Sequence, residues 1–148
     1  MVETYIADEV TDELMEAMGR LVPQLSKSNP PPTREALQQM IDGDASILFM
    51  CRDETGVLGT LTLILFRIPT GIRAWIEDVI VDETARGKGV GRILNEAAIE
   101  HAFANGAITV DLTSRPTREA ANRLYQRIGF VQRDTNVYRY APPTQLQS

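Results

Sequence analysis

The sequence lacks the features that define several protein classes. Its 148 residues contain a single cysteine, Cys51, so no disulfide can form within the chain, and no metal is expected. No apolar run approaches the ~20 residues of a membrane span, and the N-terminus has no basic-then-apolar signal pattern. A formal net charge of −5 argues against general nucleic-acid binding, which requires a basic surface. We therefore expect a cytoplasmic protein that has neither a nucleic acid nor a membrane as its partner.

The composition that remains is typical of a soluble globular domain. Apolar residues make up 43% and charged residues 24% of the chain. The length predicts one domain over residues 1–148, with a core at about 3–140 and a polar tail at 141–148. Nine acids and three bases give residues 1–50 a net charge of −6, whereas residues 51–148 carry +1. This division favours a cationic acceptor near the N-terminal third and an anionic ligand near the rest.

Hydrophobic periodicity and capping residues predict an alternation of strands and helices. The predicted order is a strand at 3–6, a helix capped by Thr11, a loop at 23–32, a helix from Thr33 to Asp42, strands at 46–52, 57–68 and 72–81, a helix at 90–104, a strand at 108–112, a helix at 118–127 and a hairpin of 130–131 with 137–140. Short turns predict that the three middle strands are antiparallel. The last of these strands, at 72–81, forms a βαβ unit with the helix at 90–104 and the strand at 108–112.

A glycine-rich loop follows the strand at 72–81. It reads Arg86-Gly87-Lys88-Gly89-Val90-Gly91-Arg92. Glycine lets the backbone approach a ligand closely, and the start of a helix presents unpaired N–H groups and the positive end of its dipole. The three cations add charge at the same place. The pattern indicates a phosphate site at the end of a strand.

Two common phosphate-binding motifs do not fit this loop. The nucleoside-triphosphate loop requires GxxxxGK[ST], and no such run exists in the chain. The dinucleotide fingerprint GxGxxG fits two glycines, and Asp111 lies about twenty residues further on. However, Arg92 occupies the third glycine position, and one βαβ unit behind antiparallel strands is the wrong architecture. Both alternatives are therefore disfavoured.

The core Arg86-x-x-Gly89-x-Gly91 resembles motif A of the GNAT superfamily, the acyl-CoA-dependent N-acyltransferases. A second segment, Ala121-Asn122-Arg123-Leu124-Tyr125-Gln126-Arg127-Ile128-Gly129-Phe130, is similar to a later motif of the family at the spacing that the family shows. The order of elements agrees over about residues 3–140. The resemblance implies an α/β GNAT fold. Its sheet is mixed and mostly antiparallel around a central βαβ unit, splayed between the fourth and fifth strands, with helices on both faces.

The resemblance also implies which residues bind acetyl-CoA. The pyrophosphate would lie on Arg86, Gly87, Lys88, Gly89, Val90, Gly91 and Arg92. The pantetheine arm would pair with the backbone of Val79, Ile80 and Val81, where the fourth strand leaves the fifth. Asn122 and Tyr125 resemble positions that contact the same cofactor.

Acyl transfer to an amine requires a proton acceptor, and two adjacent acids precede the loop. Adjacent residues of a strand point to opposite faces, so one of Glu77 and Asp78 faces the reaction. Glu77 is preferred as the general base, directly or through water, because it shares a face with Trp75 and Val79, and apolar neighbours would raise its pKa. Asp78 is the other candidate, as the base or as the group that positions the acceptor. Tyr125 matches the family tyrosine that protonates the departing thiolate.

The resemblance implies an N-acetyltransferase that moves acetyl from acetyl-CoA to a primary amine by direct attack in a ternary complex. The acidic N-terminal third favours a small amine, or a lysine or N-terminal amine of a peptide, as the acceptor. The alternatives are an aminosugar or aminosugar-phosphate acceptor and a non-catalytic acyl-CoA-binding sensor. A homodimer is expected from the resemblance.

Overall fold

The computed structural model describes residues 1–145, which form nine main elements. They are β1 (Glu3–Ile6), α1 (Asp12–Leu25), α2 (Arg34–Asp42), β2 (Ser46–Asp53), β3 (Gly56–Ile68), β4 (Gly71–Val81), α3 (Val90–Ala104), β5 (Ala107–Asp111) and α4 (Glu119–Ile128). Single 3₁₀ turns form at Glu83–Ala85 and Pro143–Gln145. The last three residues of the predicted polar tail lie outside the described residues. Among the described helices, none is long and apolar enough to cross a membrane.

The five strands form one sheet in the order β1-β2-β3-β4-β5. Neighbours from β1 to β4 are antiparallel, whereas β4 and β5 are parallel and joined through α3. Pairing of β4 with β5 runs only from Ile72 to Trp75, and β4 continues to Val81 without it. The mixed α/β sheet that opens between its fourth and fifth strands is therefore confirmed.

Helices cover both faces of the sheet, as expected. On one face α3 packs on a cluster formed by Phe49, Cys51, Leu58, Leu61, Leu63, Ala74, Ile76, Val90, Leu94 and Ala98, among others. On the other face α1 and α2 pack on Leu48, Met50, Val57 and Ile80 through Leu14, Ala17, Met18, Leu21 and Leu37. Burial of two apolar layers in this way provides most of the driving force for folding.

The predicted helix starts are confirmed by their caps, but the end of α1 is not where the sequence predicted it. Thr11 Oγ1 accepts from the Leu14 N–H at 3.1 Å, and Thr33 Oγ1 from the Ala36 N–H at 3.1 Å. The predicted loop at 23–32 is wrong in its first residues, because α1 continues through Pro23 to Leu25. A proline in the last turn removes one hydrogen bond only, and the Ser26 N–H still closes the helix on the Val22 carbonyl.

The predicted C-terminal hairpin is absent from the described residues. Residues 130–142 follow α4 without strand structure, and residues 131–140 are all exposed. They form no backbone hydrogen bond after that of Phe130 with Tyr125. The predicted hairpin is therefore wrong: β-forming residues alone do not make a strand, which also needs a partner that this arrangement does not provide.

Candidate active site

The turn between β4 and the glycine loop is fixed by one buried acid. Asp82 is 6% exposed, and its Oδ1 accepts from the N–H of Thr84 at 3.1 Å and from the Thr84 hydroxyl at 3.0 Å. Its second oxygen accepts from Arg20 of α1. Burial alone would raise the pKa of Asp82, but the Thr84 bonds and Arg20 outweigh it and hold the pKa below its usual value. The loop therefore starts from a rigid point.

The backbone of the glycine loop adopts conformations that favour glycine. Gly87 has a φ of 88° and Gly89 a φ of 76°. Gly89 is the N-cap residue of α3 and has no side chain to occupy the helix start. The first intrahelical bond is from Ile93 to Gly89, so the N–H groups of residues 90–92 have no backbone partner among the described residues. The predicted anion site at the start of α3 thus has its donors free.

The three cations of the loop surround this helix start from the outside. All three are exposed: Arg86, Lys88 and Arg92. Lys88 Nζ lies 3.6 Å from Asp53 at the β2–β3 turn, and Arg92 Nε lies 3.2 Å from Glu96 one turn further along α3. The Arg92–Glu96 pair is exposed on both sides and contributes little stability, so Arg92 can turn toward an anionic ligand at small cost. The Asp53 side chain is only 8% exposed, so Lys88 is held more firmly at the β2–β3 turn.

Two glycines act by letting other elements approach closely. A Cβ at position 91 would lie 3.0 Å from Leu124 Cδ2, so Gly91 lets α4 pack on the first turn of α3. A Cβ at position 59 would lie 2.8 Å from the Ile80 carbonyl oxygen and 2.9 Å from Val90 Cγ1. Gly59 thus holds β3, β4 and the helix start together. Sequence reasoning assigned Gly91 to the ligand alone and missed Gly59.

Asn95 is a second residue that sequence reasoning missed. It is fully buried in α3, and its Nδ2 donates to the Gly91 carbonyl at 2.8 Å. Its Oδ1 has no partner among the described residues. An amide at a helix position between Leu94 and Ala98, both buried, was the signal that could have identified it. The bond braces the first turn of α3 behind the free N–H groups.

A β-bulge lies in β4 next to the opening toward β5. Thr62 pairs with Glu77 and Thr60 with Ile80, so two residues of β4 face one of β3. Within the bulge, Asp78 has a φ of 49°, the only positive value at a non-glycine residue among the described residues. After the bulge the predicted pantetheine-pairing residues Val79, Ile80 and Val81 follow, with no β5 partner on that side.

The bulge changes which side chains share a face. Ile76 and Val79 both belong to the α3 side of the sheet, and Ile80 belongs to the α1 and α2 side. The expectation that Glu77 shares a face with Val79 is therefore wrong, because the extra residue shifts the alternation. The expectation that it shares a face with Trp75 is confirmed, since Trp75 Nε1 donates to Glu77 Oε2 at 2.5 Å.

The two acids differ in their surroundings. Both side chains are exposed at the surface. Desolvation by the neighbouring protein, and then the charge of Glu77, raise the pKa of Asp78 above its usual value. Glu77 is instead hydrogen-bonded by the Trp75 indole. Sequence reasoning expected apolar surroundings around Glu77. The structure instead shows desolvation at Asp78, which lies in the bulge, although its side chain is exposed.

Tyr125 lies on the buried side of α4 and is 8% exposed. Its ring packs edge-to-face on Phe130, with centroids 5.7 Å apart. Burial raises the pKa of the Tyr125 phenol, and the nearby Arg118 offsets part of that shift. The phenol is therefore protonated at neutral pH, as a proton donor must be. Through Leu124 and Gly91, its helix is packed directly on the glycine-loop end of α3.

Asn122 has a partner within the protein. Its Nδ2 donates to the Arg115 carbonyl at 2.9 Å and so fastens the turn before α4. Its predicted contact with the cofactor stays a prediction.

A large open cavity lies elsewhere. It measures about 480 Å³ and is lined by Glu13, Glu16, Arg20, Thr55, Gly56, Val57, Leu58, Asp82 and Thr84. It lies between α1 and the β2–β3 turn, on the far side of β4 from the opening toward β5. Arg20, in its wall, is already paired with Glu16 and Asp82. The candidate site is therefore at the β4–β5 opening, where backbone groups have no partner among the described residues.

Two further side chains are packed rather than reactive. His101 of α3 lies edge-to-face on Phe49 with ring centroids 5.6 Å apart. Cys51 is fully buried, and desolvation raises the pKa of its thiol to about 11. Among residues 1–145, no group of three or more His, Cys, Asp or Glu side chains is arranged to hold a metal ion.

Comparisons with known proteins agree with this geometry. A family model described as Acetyltransferase (GNAT) family matches residues 8–130. The chain is similar to glucosamine 6-phosphate N-acetyltransferase 1 of Oryza sativa subsp. japonica, with 30% identity over 130 residues, covering 81% of this chain and 76% of the relative. It is also 43% identical over 63 residues to a mycothiol acetyltransferase of Nocardiopsis dassonvillei, covering 43% of this chain but 19% of that relative.

A solved protein of Agrobacterium tumefaciens str. C58, provisionally assigned as an acetyltransferase, superposes with a TM-score of 0.83 at 25% identity, covering 94% of this chain and 99% of that one. The matched family segment contains β4, the glycine loop, α3 and α4, which are the elements that build the site. The chain therefore belongs to the acetyltransferase (GNAT) family and is an acyltransferase.

Proposed function

We propose that the protein is an N-acetyltransferase that transfers the acetyl group of acetyl-CoA to a primary amine by direct attack in a ternary complex. One observation carries the proposal. The start of α3, with its free N–H groups and left-handed Gly89, lies beside the end of the unpaired edge of β4, where Val81 approaches Gly91. A diphosphate with an extended arm needs these two features side by side. The same proposal treats the whole chain as one catalytic domain that works in the cytoplasm, where a free buried thiol such as Cys51 is ordinary.

The donor would be held mainly by backbone. The N–H groups of residues 90–92 and the positive end of the α3 dipole attract the diphosphate, and the side chains of Arg86, Lys88 and Arg92 add charge. The pantetheine arm would pair with β4 between Val79 and Val81, as an added strand pairs with a free edge. Donors along this edge can stabilise the negative charge that develops on the thioester carbonyl oxygen.

The reaction needs one proton acceptor and one proton donor. The amine nitrogen forms a bond to the thioester carbonyl carbon, the carbon–sulfur bond breaks, and the amine gives up a proton. We propose that the proton goes to the acidic pair at the bulge, and we favour Asp78, which lies within the bulge next to the β5 opening and whose pKa is raised by desolvation. Glu77, held by Trp75, would orient the amine. The departing thiolate would take its proton from the Tyr125 phenol.

The acceptor would approach from the face that carries Trp75 and Glu77. This face is the one on which α1 and α2 pack, and Phe66 is 39% exposed on the neighbouring strand. Residues 1–50 contain nine acidic and three basic residues, and this negative charge favours a cationic amine. A small amine, or the lysine or N-terminal amine of a peptide, suits this surface.

An aminosugar phosphate is the second candidate, and two observations favour it. The rice relative is named as a glucosamine 6-phosphate N-acetyltransferase. Arg73 precedes Trp75 by two positions on the same face of β4, and its Nε has no partner among the described residues. A guanidinium suits a phosphate group because it can donate two parallel hydrogen bonds.

The experiment is a measurement of free CoA release with acetyl-CoA and a panel of acceptors: polyamines, amino acids, basic peptides, glucosamine and glucosamine 6-phosphate. Turnover with a simple amine or peptide supports the first candidate. The second candidate is supported if turnover with glucosamine 6-phosphate is at least tenfold above that with glucosamine. This turnover should be abolished in Arg73→Ala and kept in Arg67→Ala, whose side chain lies on the opposite face of the sheet. If none of these acceptor classes causes CoA release, the proposed function is contradicted.

A further inference from the structure

Three apolar side chains on the acceptor face of the sheet belong to neither core cluster: Ile64 and Phe66 of β3 and Trp75 of β4. Ile64 pairs with Trp75, and Phe66 lies two residues further along β3, so all three belong to one face. Ile64 and Trp75 are half-buried, and Phe66 is 39% exposed. Large apolar side chains that lie side by side outside the core often mark a binding surface. We call these three residues the apolar patch.

The helices of this face pack on another part of the sheet. α1 and α2 cover Leu48, Met50, Val57 and Ile80. Leu48 pairs with Thr62, so the apolar patch begins two residues further along β3, toward the turn into β4. The patch therefore remains accessible beside the acids at which the amine is proposed to react.

Charged groups of opposite sign lie at the two ends of the apolar patch. Glu77 lies at the end next to the bulge, and Asp111 of β5 pairs with Trp75. At the other end Arg73 pairs with Phe66, and its buried Nε has no partner among the described residues. Arg73 and Glu77 are four residues apart on one strand, roughly 13 Å along it, with Trp75 midway between them.

We propose that the acceptor carries its primary amine and an anionic group on opposite sides of a flat apolar body, such as an aromatic ring, that lies on the apolar patch. The amine lies at Glu77 and Asp78, the ring packs on Trp75 and Phe66, and the anionic group accepts hydrogen bonds from Arg73. Ligand sites commonly combine an apolar surface with a few polar groups that fix orientation. This inference rests on the proposed function and narrows its first candidate, the small amine.

The same surface disfavours the other acceptor classes. A polyamine or a basic peptide would bring a second positive charge toward Arg73. An aminosugar phosphate suits Arg73, but its ring hydroxyls would lie on side chains that offer them no hydrogen-bond partner. The one polar atom of the apolar patch, Trp75 Nε1, already donates to Glu77.

The first test compares kcat/KM for CoA release with propylamine, benzylamine and 4-(aminomethyl)benzoate, which add the ring and then the anion to one amine. We expect benzylamine to exceed propylamine about tenfold and 4-(aminomethyl)benzoate to exceed benzylamine about tenfold again. Phe66→Ala should abolish most of the first ratio, and Phe103→Ala, at an exposed phenylalanine of α3, is its matched control. Arg73→Gln should abolish the second ratio, and Arg67→Gln, on the opposite face, should keep it.

The second test needs no turnover, because Trp75 is the only tryptophan of the chain. Titration of the CoA-bound protein with 4-(aminomethyl)benzoate should change the fluorescence of Trp75 in a saturable way. Propylamine at the same concentrations should leave the fluorescence unchanged. Binding seen in this titration without CoA release from any acceptor would support the inference about the ligand while contradicting the proposed reaction, so the two failures are distinguishable.

Three outcomes would overturn the inference. The first is equal kcat/KM for the three amines, and the second is a higher kcat/KM for glucosamine 6-phosphate or spermidine than for 4-(aminomethyl)benzoate. The third is Trp75 fluorescence that does not respond to 4-(aminomethyl)benzoate. A thermal melt shows whether the variants fold, and the titration of the unaltered protein does not depend on any of them.

Discussion

The donor end and the acceptor face of this site are built differently. At the donor end, the β4–α3 junction is fixed by the buried Asp82, by close packing at Gly59 and by the contact of Gly91 with Leu124. On the acceptor face, Glu77 and Asp78 are exposed, and the one side-chain hydrogen bond there joins Glu77 to Trp75.

This difference is the one that the proposed function requires. A diphosphate needs fixed backbone donors, which only a rigid junction can hold in place without further ordering. Acceptors differ between members of one fold, and the groups that select them lie on surfaces and loops that vary without loss of the core. We therefore expect changes at the donor end to affect folding, and changes on the acceptor face to affect turnover.

Tyr125→Phe tests the proposed proton donor and should have the largest effect. Removal of the phenolic proton donor should lower kcat about 10²-fold or more, because a general acid contributes about that much. The dissociation constant for CoA, measured by calorimetry, should change little because the ring and its packing on Phe130 remain. Tyr138→Phe, at an exposed tyrosine, is the control. Full activity in Tyr125→Phe would remove this residue from the mechanism.

Asp78→Asn and Glu77→Gln form a matched pair on the acceptor face. Loss of the base should lower kcat/KM about 10²-fold in Asp78→Asn, whereas Glu77→Gln should mainly raise KM for the amine. Since the pKa of Asp78 is raised, the activity of the unaltered enzyme should increase with pH as this carboxyl ionises, above its usual value of 3.8. That limb of the pH–rate profile should disappear in Asp78→Asn. Its disappearance in Glu77→Gln instead would assign the base to Glu77.

Gly59→Ala tests the rigidity of the donor end. The added Cβ would meet the Ile80 carbonyl at 2.8 Å and Val90 Cγ1 at 2.9 Å, so backbone has to move. We expect a loss of about 2–3 kcal/mol in the free energy of unfolding, measured by urea titration. Gly19→Ala is the control, because a Cβ at that helix position meets nothing within 4 Å. Equal stability of the two variants would show that the junction is not tightly packed.

Asp82→Asn should have the smallest effect, and one that depends on pH. The pKa of Asp82 is held below its unfolded value of about 3.8, so the ionised carboxylate stabilises the fold above that value. That stability is lost as the pH falls through the lower folded pKa. We expect the variant to lose about 1–2 kcal/mol at neutral pH and the difference to shrink in acid. A difference that stays constant from neutral pH to strong acid would contradict the assigned role.

Local patterns predicted most of the fold correctly. The caps at Thr11 and Thr33, the antiparallel β2-β3-β4 series and the glycine loop before α3 all depend on contacts within a few residues, which the sequence states directly. The two errors of placement are of the opposite kind. Pro23 is tolerated because it falls in the last turn of α1, and the residues after α4 remain unpaired because no described strand receives them.

The sequence predicted the elements around the candidate site but not the details of their packing. The bulge at Asp78 arises from the register of β4 on β3, which no local pattern specifies. It therefore reversed the expected face of Val79 and placed Asp78 where desolvation raises its pKa. The close contacts of Gly59 and the bond of Asn95 to Gly91 were missed for the same reason.

The sequence by itself determined the family, the order of the helices and the five strands, and the glycine-capped start of α3, because the glycine N-cap, its cations and the helix behind it are contiguous in the chain. Only the tertiary structure decided where β4 bulges, which glycines permit close packing and which acid is paired with an arginine from another helix. These depend on residues far apart in sequence, such as Gly59 with Val90 and Arg20 with Asp82. The contacts between these residues form only when the strands have paired in register and the helices have packed on the sheet.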